Sequence, residues 1–424
     1  MKRVTGLSAA LELLSGPQPN DDEADRVAAR ILDDVRRNGD AAVKRISGEL
    51  DGEQLGFLEV PRSDIDAALA AIPTETREAL ETAAERIRAF QSAALPQSWH
   101  DDERHYGELV TPVKRVGAYV PGGTAPLAST VIMTVVPARV AGVDEIYLAT
   151  PAVGDSLPHP AVLAAAAIAG ADRVFKIGGA QAIAAFAYGT ETVPAVDLIV
   201  GPGNVWVTAA KRQLFGCVGI DGLYGPTETL VVADESSDAE FCASDLLAQA
   251  EHDVRARPIL VSTSPKIADE IEAALNRQLA DLPRKAIAGE AVETNGVSVI
   301  VDSLEEAIEV ANAVAPEHLC LAIADPAPYI SLVRNAGGLF AGEYSAEVMG
   351  DYVAGPSHVM PTGGTARFAS ALNVRHFLRF TPIVDLDSDG FKEIAQQAAV
   401  LARTEGLHGH ANAAELRMKR LIGE

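Results

Sequence analysis

Arg115-Val-Gly-Ala-Tyr-Val120, closed by Pro121-Gly122-Gly123-Thr124, is a short apolar strand that breaks into a glycine turn. Before it the chain reads as helical. Asn20 with Glu23 three residues on forms a capping pair, and Arg36-Arg37-Asn38-Gly39 a basic, glycine-terminated helix end. Ser63 and Thr74 are further N-caps, and Pro73 separates a short helix from a longer one that runs to about Ala93. After the turn, strands and helices alternate. Strands are expected at 145–150, 174–177, 198–200, 229–233, 259–262, 297–301, 319–323 and 338–340. Helices are expected at 130–141, 160–169, 180–188, 205–215, 239–252, 267–280 and 304–313. Residues 286–295 read as a loop, a lid or an insertion. Past Asn373 the pattern returns to helices, clearest at 391–402 and 412–420, in a tail too short to bury its own apolar face. Apolar β-branched strands alternating with helices predict an α/β fold with parallel sheets covered on both faces.

The composition narrows the partners. The 424 residues are enough for two or three domains, and 48% hydrophobic with 22% charged residues fits a well-packed soluble protein. A formal net charge of −24 argues against nucleic acid and against an anionic membrane surface, and suits a neutral or cationic small substrate. Three widely spaced cysteines, Cys217, Cys242 and Cys320, read as reduced thiols of a cytoplasmic protein rather than a disulfide framework. The apolar stretch near the N-terminus is short and interrupted by Glu12, which is unlike a signal peptide, and no run is long enough to span a bilayer.

Four polar islands carry the chemistry: Gln249-Ala-Glu-His252, Glu317-His318, Gly350-Asp351-Tyr352 and Glu405-Gly-Leu-His-Gly-His410. Ser237-Asp-Ala-Glu240 reads as a capping box, so Gln249 and His252 share a face near the end of the helix it opens, as a ligand pair or as an ordinary polar surface. Glu317 and His318 precede a strand and offer two bases of different strength, or merely an exposed loop. Asp351 is a hard oxygen ligand or a turn aspartate, and His358 of Gly355-Pro-Ser-His358 a substrate or ligand contact. His408 and His410 cannot face one site together from a helix. Tyr119-Val-Pro-Gly-Gly-Thr124, Gly178-Gly-Ala-Gln181 and Gly201-Pro-Gly-Asn204 are strand-to-helix turns that let backbone approach a phosphate, although none is a G-x-G-x-x-G fingerprint.

Together VGAYVPGGTAPL, KIGGAQAIAAFAYGTE, VGPGNVWVTAAKRQ, DLLAQAEHD, APEHL, NAGGLFAGEYSAEVMGDYVAGPSHVMPT and EGLHGHANAAELR resemble histidinol dehydrogenase, from about Asp22 to Arg417. The resemblance implies a four-electron oxidation of L-histidinol through the aldehyde to L-histidine, with two NAD and one zinc. It implies two incomplete Rossmann-like parallel-sheet domains with a helical N-terminal region and a small helical C-terminal tail domain. Residues 1–118 with 228–372 would form the first, carrying most zinc and catalytic residues; 119–227 the second, binding NAD; and 373–424 the tail, reaching a partner subunit. Zinc would be held by Gln249, His252, Asp351 and His410. His318 would take the alcohol proton, Glu317 would activate water, and Glu405 would meet the substrate ammonium. Thr227 and His358 would line the pocket, with Tyr119, Gln181 and Asn204 contacting NAD. The expected assembly is a homodimer in which Glu405 and His410 complete the partner's site.

The chain departs from the family pattern in three places. Thr227 stands where serine is usual, His408 where aspartate is usual, and Ser357 where asparagine is common before His358. LFGCVGIDGLYGPTETLVVAD is also similar to a side branch that oxidises a sulfonated propanediol, the alternative substrate class.

Overall fold

The computed structural model describes residues 1–14, 21–51, 56–122, 125–152 and 156–423. Asn20, Gly123 and Thr124 lie outside the described residues. Contacts divide the chain into two compact units, Met1–Ala94 with Val113–Phe377 and Leu95–Pro112 with Leu378–Glu424.

The larger unit contains two parallel sheets. One has five strands in the order Arg173–Phe175, Glu145–Ala149, Arg115–Tyr119, Leu198–Val200 and Gly219–Ile220. The other has six, in the order Lys2–Thr5, Val297–Ile300, Arg257–Ser262, Glu228–Ala233, His318–Ala322 and Gly338–Ala341. Both sheets reverse their direction of growth once. Chain order moves outward from Arg115–Tyr119 on one side and resumes with Leu198–Val200 on the other; in the larger sheet the reversal lies between Glu228–Ala233 and His318–Ala322. Loops at the carboxyl ends of such a pair diverge and leave a crevice where α/β proteins bind ligands.

Period-two side-chain alternation shows in how the six-stranded sheet is covered. Val231, Ala233 and Leu260 pack with Leu246, Ala250, Ile271 and Ala291 on one face, while Leu230, Val232, Ile259 and Val261 pack with Ala307, Ile308 and Ala311 on the other. In the five-stranded sheet, Gly117 sits under the Phe186 ring of the Gly179–Tyr188 helix, and a Cβ there would come within 2.6 Å of it. Phe186 in turn meets Phe175 edge to face at 6.3 Å.

Most expected elements are present, with boundaries shifted by a residue or two, and by three or four at the starts of Ser388–Thr404 and His408–Ile422. Residues 286–295 are a correction: they belong to a helix, Lys285–Asn295, which buries Ala288, Ala291 and Val292. Capping is corrected too. Asp21 accepts from Glu23 N and Ala24 N, and Asp238 rather than Ser237 accepts from Glu240 N and Phe241 N. Ser237 instead caps its own turn by accepting from Asp234 N. Neither Ser63 nor Thr74 caps; Pro61 and Pro73 occupy those N-cap positions. At Gly39 (φ 50°) the long helix breaks and restarts, so Asp22–Asp51 is two helices in series. The grouping of residues 1–118 with the catalytic sheet also differs. Only Lys2–Thr5 and Leu7–Leu14 join it, whereas Asp22–Asp51, Arg62–Ala71 and Thr74–Ala93 pack on helices of the five-stranded sheet.

The smaller unit is not purely helical. Leu378–Val384 pairs antiparallel with Tyr106–Pro112, which pairs with Trp99–Asp101. The helices Ser388–Thr404 and His408–Ile422 pack on each other through Ala399, Ala402, Ala411 and Ala414.

Gly117→Ala forces the Phe186 ring out of its place and should cost about 1–3 kcal/mol. A denaturant titration reads this as a lower midpoint at unchanged slope, and an unchanged midpoint would show that the ring has room to move.

Candidate functional site

One cleft of about 1260 Å³ in the larger unit gathers residues from five segments far apart in sequence, among them Asn204, Thr227, Gln249, His252, Glu317, His318, Asp351 and His358. It joins the carboxyl ends of the Arg115–Tyr119 and Leu198–Val200 strands to the amino ends of Glu228–Ala233 and His318–Ala322.

Asp351 is the hub. It lies on the short helix Glu347–Tyr352, and its Oδ2 accepts from Gln249 Nε2 at 3.1 Å while its Oδ1 meets His318 Nε2 at 3.3 Å. Its own carbonyl accepts from His358 Nδ1 at 2.7 Å. Gln249 Oε1 accepts from the Thr227 hydroxyl at 2.9 Å, so Thr227, Gln249, Asp351 and His318 form one chain of hydrogen bonds. His252 is reached differently from the expected helix face. The helix Ala239–Ala250 stops before it, and a turn with His252 N donating to Gln249 O at 3.2 Å presents the ring to solvent in the cleft.

His318 is 2% exposed, and its ring stacks on Phe340 at 5.9 Å. Its Nδ1 faces the Glu228 carbonyl at 3.2 Å and its Nε2 faces Asp351, both acceptors, so the ring donates from both nitrogens and carries a proton. Burial works against that charge, yet Glu317 and Asp351, with Glu347 nearby, outweigh it and push the imidazole up to about 10. Glu317 is 8% exposed; burial raises its carboxyl to about 7 against the opposing pull of His318. Its Oε2 accepts from Glu228 N at 3.2 Å and lies 3.8 Å from His318 Nδ1. For Asp351 the balance goes the other way: burial raises its pKa, but the hydrogen bond and charge of His318 prevail and keep it below the usual value.

His358 accepts from the Thr130 hydroxyl on Nε2 at 3.0 Å and donates from Nδ1, the pattern of a neutral ring, and burial lowers its pKa accordingly. Burial also lowers that of His252. An ionised Asp351, a neutral His252 and the Gln249 carbonyl oxygen are in the states that a bound metal requires. Among the described residues no group of three or more His, Cys, Asp and Glu side chains is gathered for a metal. Of the expected ligands in the larger unit, only His252 and Asp351 are of those types.

Of the other expected residues only Asn204 reaches the cleft. Asn204 opens on the cleft and caps the helix Val205–Leu214 by accepting from Val207 N at 3.1 Å. Tyr119 and Gln181 are buried, 3% and 2% exposed, and do not line the cleft. The Tyr119 hydroxyl accepts from Gly179 N at 3.1 Å, and Gln181 Nε2 donates to the Ser47 hydroxyl at 3.3 Å. Glu405 and His410 belong to the smaller unit, where both are exposed.

Two supporting residues escaped the sequence reading. Thr130 orients His358. Glu347, wholly buried, accepts from the Thr229 hydroxyl and from Cys320 Sγ, tying the helix of Asp351 to the two strands that carry Glu228 and His318. Its spacing of four from Asp351 was the available signal. All three cysteines are free thiols.

A family model described as histidinol dehydrogenase matches residues 15–418. The chain is 51% identical over 399 residues to the histidinol dehydrogenase of Thermus thermophilus, covering 94% of this chain and 95% of that one. It is likewise 51% identical over 399 residues to that of Deinococcus radiodurans, covering 93% and 91%. The crystal structure of histidinol dehydrogenase from Elizabethkingia anophelis superposes with a TM-score of 0.95 at 34% identity, over 100% of this chain and 99% of that one. With likeness over nearly its whole length in sequence and in fold, the chain belongs to the histidinol dehydrogenase family of NAD-dependent oxidoreductases.

Proposed function

We propose that the protein oxidises L-histidinol through histidinaldehyde to L-histidine, using two NAD and one zinc ion. The observation that carries this reading is the convergence of Gln249, His252 and Asp351 beside the Glu317–His318 pair in one cleft. Gln249 Oε1, His252 and Asp351 would hold zinc together with His410 of a second copy of the chain. When bound, the metal supplies a fixed positive charge that anchors the substrate's imidazole and amine.

The chain's own groups divide the remaining work. His318 accepts the alcohol proton; NAD, when bound, would supply the hydride acceptor. Asp351 would share its charge with a bound metal, which would loosen its hold on the imidazole proton and leave His318 freer to act as a base. Glu317, backed by the amide of Glu228, takes a proton from the water that attacks the aldehyde. A carboxyl near 7 is well matched to that task at neutral pH. Glu405 of a second copy meets the substrate ammonium. Pro121, Pro202, Gly203 and Asn204, which line the cleft at the reversal point of the five-stranded sheet, would hold NAD. Tyr119 and Gln181 act from behind, by shaping the turn at Gly179.

A sulfonated diol would need an uncommitted cation in the cleft. The arginines that line it, Arg212, Arg255 and Arg257, are paired with Asp25, Asp253 and Glu228. The reading places the protein in the cytoplasm as a homodimer. Among the described residues no helix is long and apolar enough to cross a membrane.

The purified, zinc-loaded protein should yield two NADH per L-histidinol, and Glu317→Gln should cut the yield to one with aldehyde accumulating. Turnover of a sulfonated propanediol but not of L-histidinol would move the assignment to that substrate.

His318→Asn should lower kcat by about 10²–10⁴-fold at unchanged zinc content; activity within a few-fold of the parent would remove His318 from the base role.

Mixing inactive His318→Asn with inactive His410→Ala chains should restore activity, because each hybrid dimer assembles one intact site. Mixtures as inactive as their components would place His410 outside a shared site.

A further inference from the structure

Lys211 and Asp221 are a buried ion pair that the chemistry above does not use. Lys211 is 1% exposed and Asp221 7%, with Nζ to Oδ1 at 2.5 Å. Burial lowers the pKa of Lys211 while Asp221 opposes that shift. A well-packed apolar pair would serve stability as well or better than such a buried pair. What distinguishes the pair is where its remaining bonds go.

Gly201 opens the cofactor turn Gly201-Pro-Gly-Asn204. Lys211 Nζ donates to its carbonyl at 2.9 Å, and Asp221 Oδ2 accepts from its amide at 2.7 Å. Both backbone groups of this one residue are therefore committed to the two ends of one ion pair. Gly201 has φ +109°, and a Cβ there would overlap the carbonyl of Tyr119, so the turn runs directly against the end of the neighbouring strand. Asp221 Oδ1 also accepts from Gly222 N at 2.8 Å, which fixes the start of the loop that leads to Thr227. The Lys211 ammonium lies 4.8 Å from the centre of the Tyr224 ring, and Tyr224 lines the cleft. Thr208, on the same helix as Lys211, donates to the Tyr224 carbonyl at 2.6 Å. Burial, with the Asp221 carboxylate beside the hydroxyl, holds the Tyr224 phenol well above its ordinary pKa. The ring is thus set by Asp221 at its hydroxyl, Lys211 over its face and packing against Gly222.

We infer that Lys211 and Asp221 are positioning residues for the cofactor: a brace that sets the Gly201–Asn204 turn against the Tyr119 strand end and anchors it, through Tyr224, to the loop bearing Thr227. The inference rests on the proposed placement of NAD at that turn. Neither Lys211 nor Asp221 bonds to Gln249, His252 or Asp351, and the link toward them runs through the loop bearing Thr227, so the brace should act first on the cofactor and far less on the alcohol and the metal.

Lys211→Met keeps the length of the side chain and removes its charge. Asp221→Asn keeps the volume and turns one acceptor into a donor facing other donors. In either variant the KM for NAD should rise about tenfold or more, the equivalent of one good buried hydrogen bond, while the KM for L-histidinol and the zinc content stay within twofold. A brace with only a structural role would lower the melting temperature without separating the two KM values. Hydrogen exchange on the substrate-free protein supplies a readout that does not depend on the reaction. Amides of Gly201, Gly203, Asn204 and Gly222 should exchange faster in both variants, with the six-stranded sheet unchanged. If the unaltered protein fails to oxidise L-histidinol, the functional proposal falls and exchange alone judges the brace. Unchanged exchange at the turn, or equal shifts in both KM values, overturns it.

Discussion

A buried imidazole keeps its proton only while negative charge stays beside it, and much of the cleft is arranged to meet that condition for His318. Asp351 and Glu317 reach it directly, and Glu347 acts from one layer further in. The carboxylates are costly to bury themselves. Each is therefore secured in turn: Glu317 by the Glu228 amide, Asp351 by Gln249, and Glu347 by Thr229 and Cys320. Removing one member leaves the others with unmatched charge. The site is consequently a unit, and its electrostatics respond as a whole to any change in one member.

The two sheets contribute opposite ends to this arrangement. The five-stranded sheet offers the carboxyl ends of its central strands, the usual ligand-binding edge of an α/β fold. The six-stranded sheet offers amino ends, with Glu317 and His318 at the very start of one strand and Glu228 at the start of its neighbour. Here the amino end is useful because the loops entering these strands converge with the Glu347–Tyr352 helix. The glycine turns of the first sheet and the acid–imidazole chemistry of the second thus share a single cleft.

How much of this could be read from residues alone depended on where each signal lay. The alternation after Arg115 predicts the two parallel sheets because buried strands such as Glu228–Ala233 are continuous apolar runs. Strands with largely exposed faces gave no such signal. Leu378–Val384 contains Pro382 and is mostly exposed, and Tyr106–Pro112 is mixed, so the antiparallel pair was missed. The helix Lys285–Asn295 was concealed by Gly289 and a short apolar face. In the site, strings such as APEHL and GDYVAGPSH point to residues that share one cleft, but spacing puts His252 on a helix that ends at Ala250. Glu347 is marked only by its spacing from Asp351, and the Lys211–Asp221 pair not at all, because a buried charge is recognised by its partners and those are distant along the chain.

The smaller unit is sewn from two stretches separated by most of the polypeptide, Leu95–Pro112 and Leu378–Glu424. During synthesis the Tyr106–Pro112 strand emerges early and must wait, its edge unpaired, until Leu378–Val384 leaves the ribosome. Everything between them can collapse around its own sheets in the meantime. The order of assembly is thereby written into the topology: this seam closes only after the parallel sheets have emerged, and a nascent chain stalled short of it carries a bare strand edge open to non-native pairing.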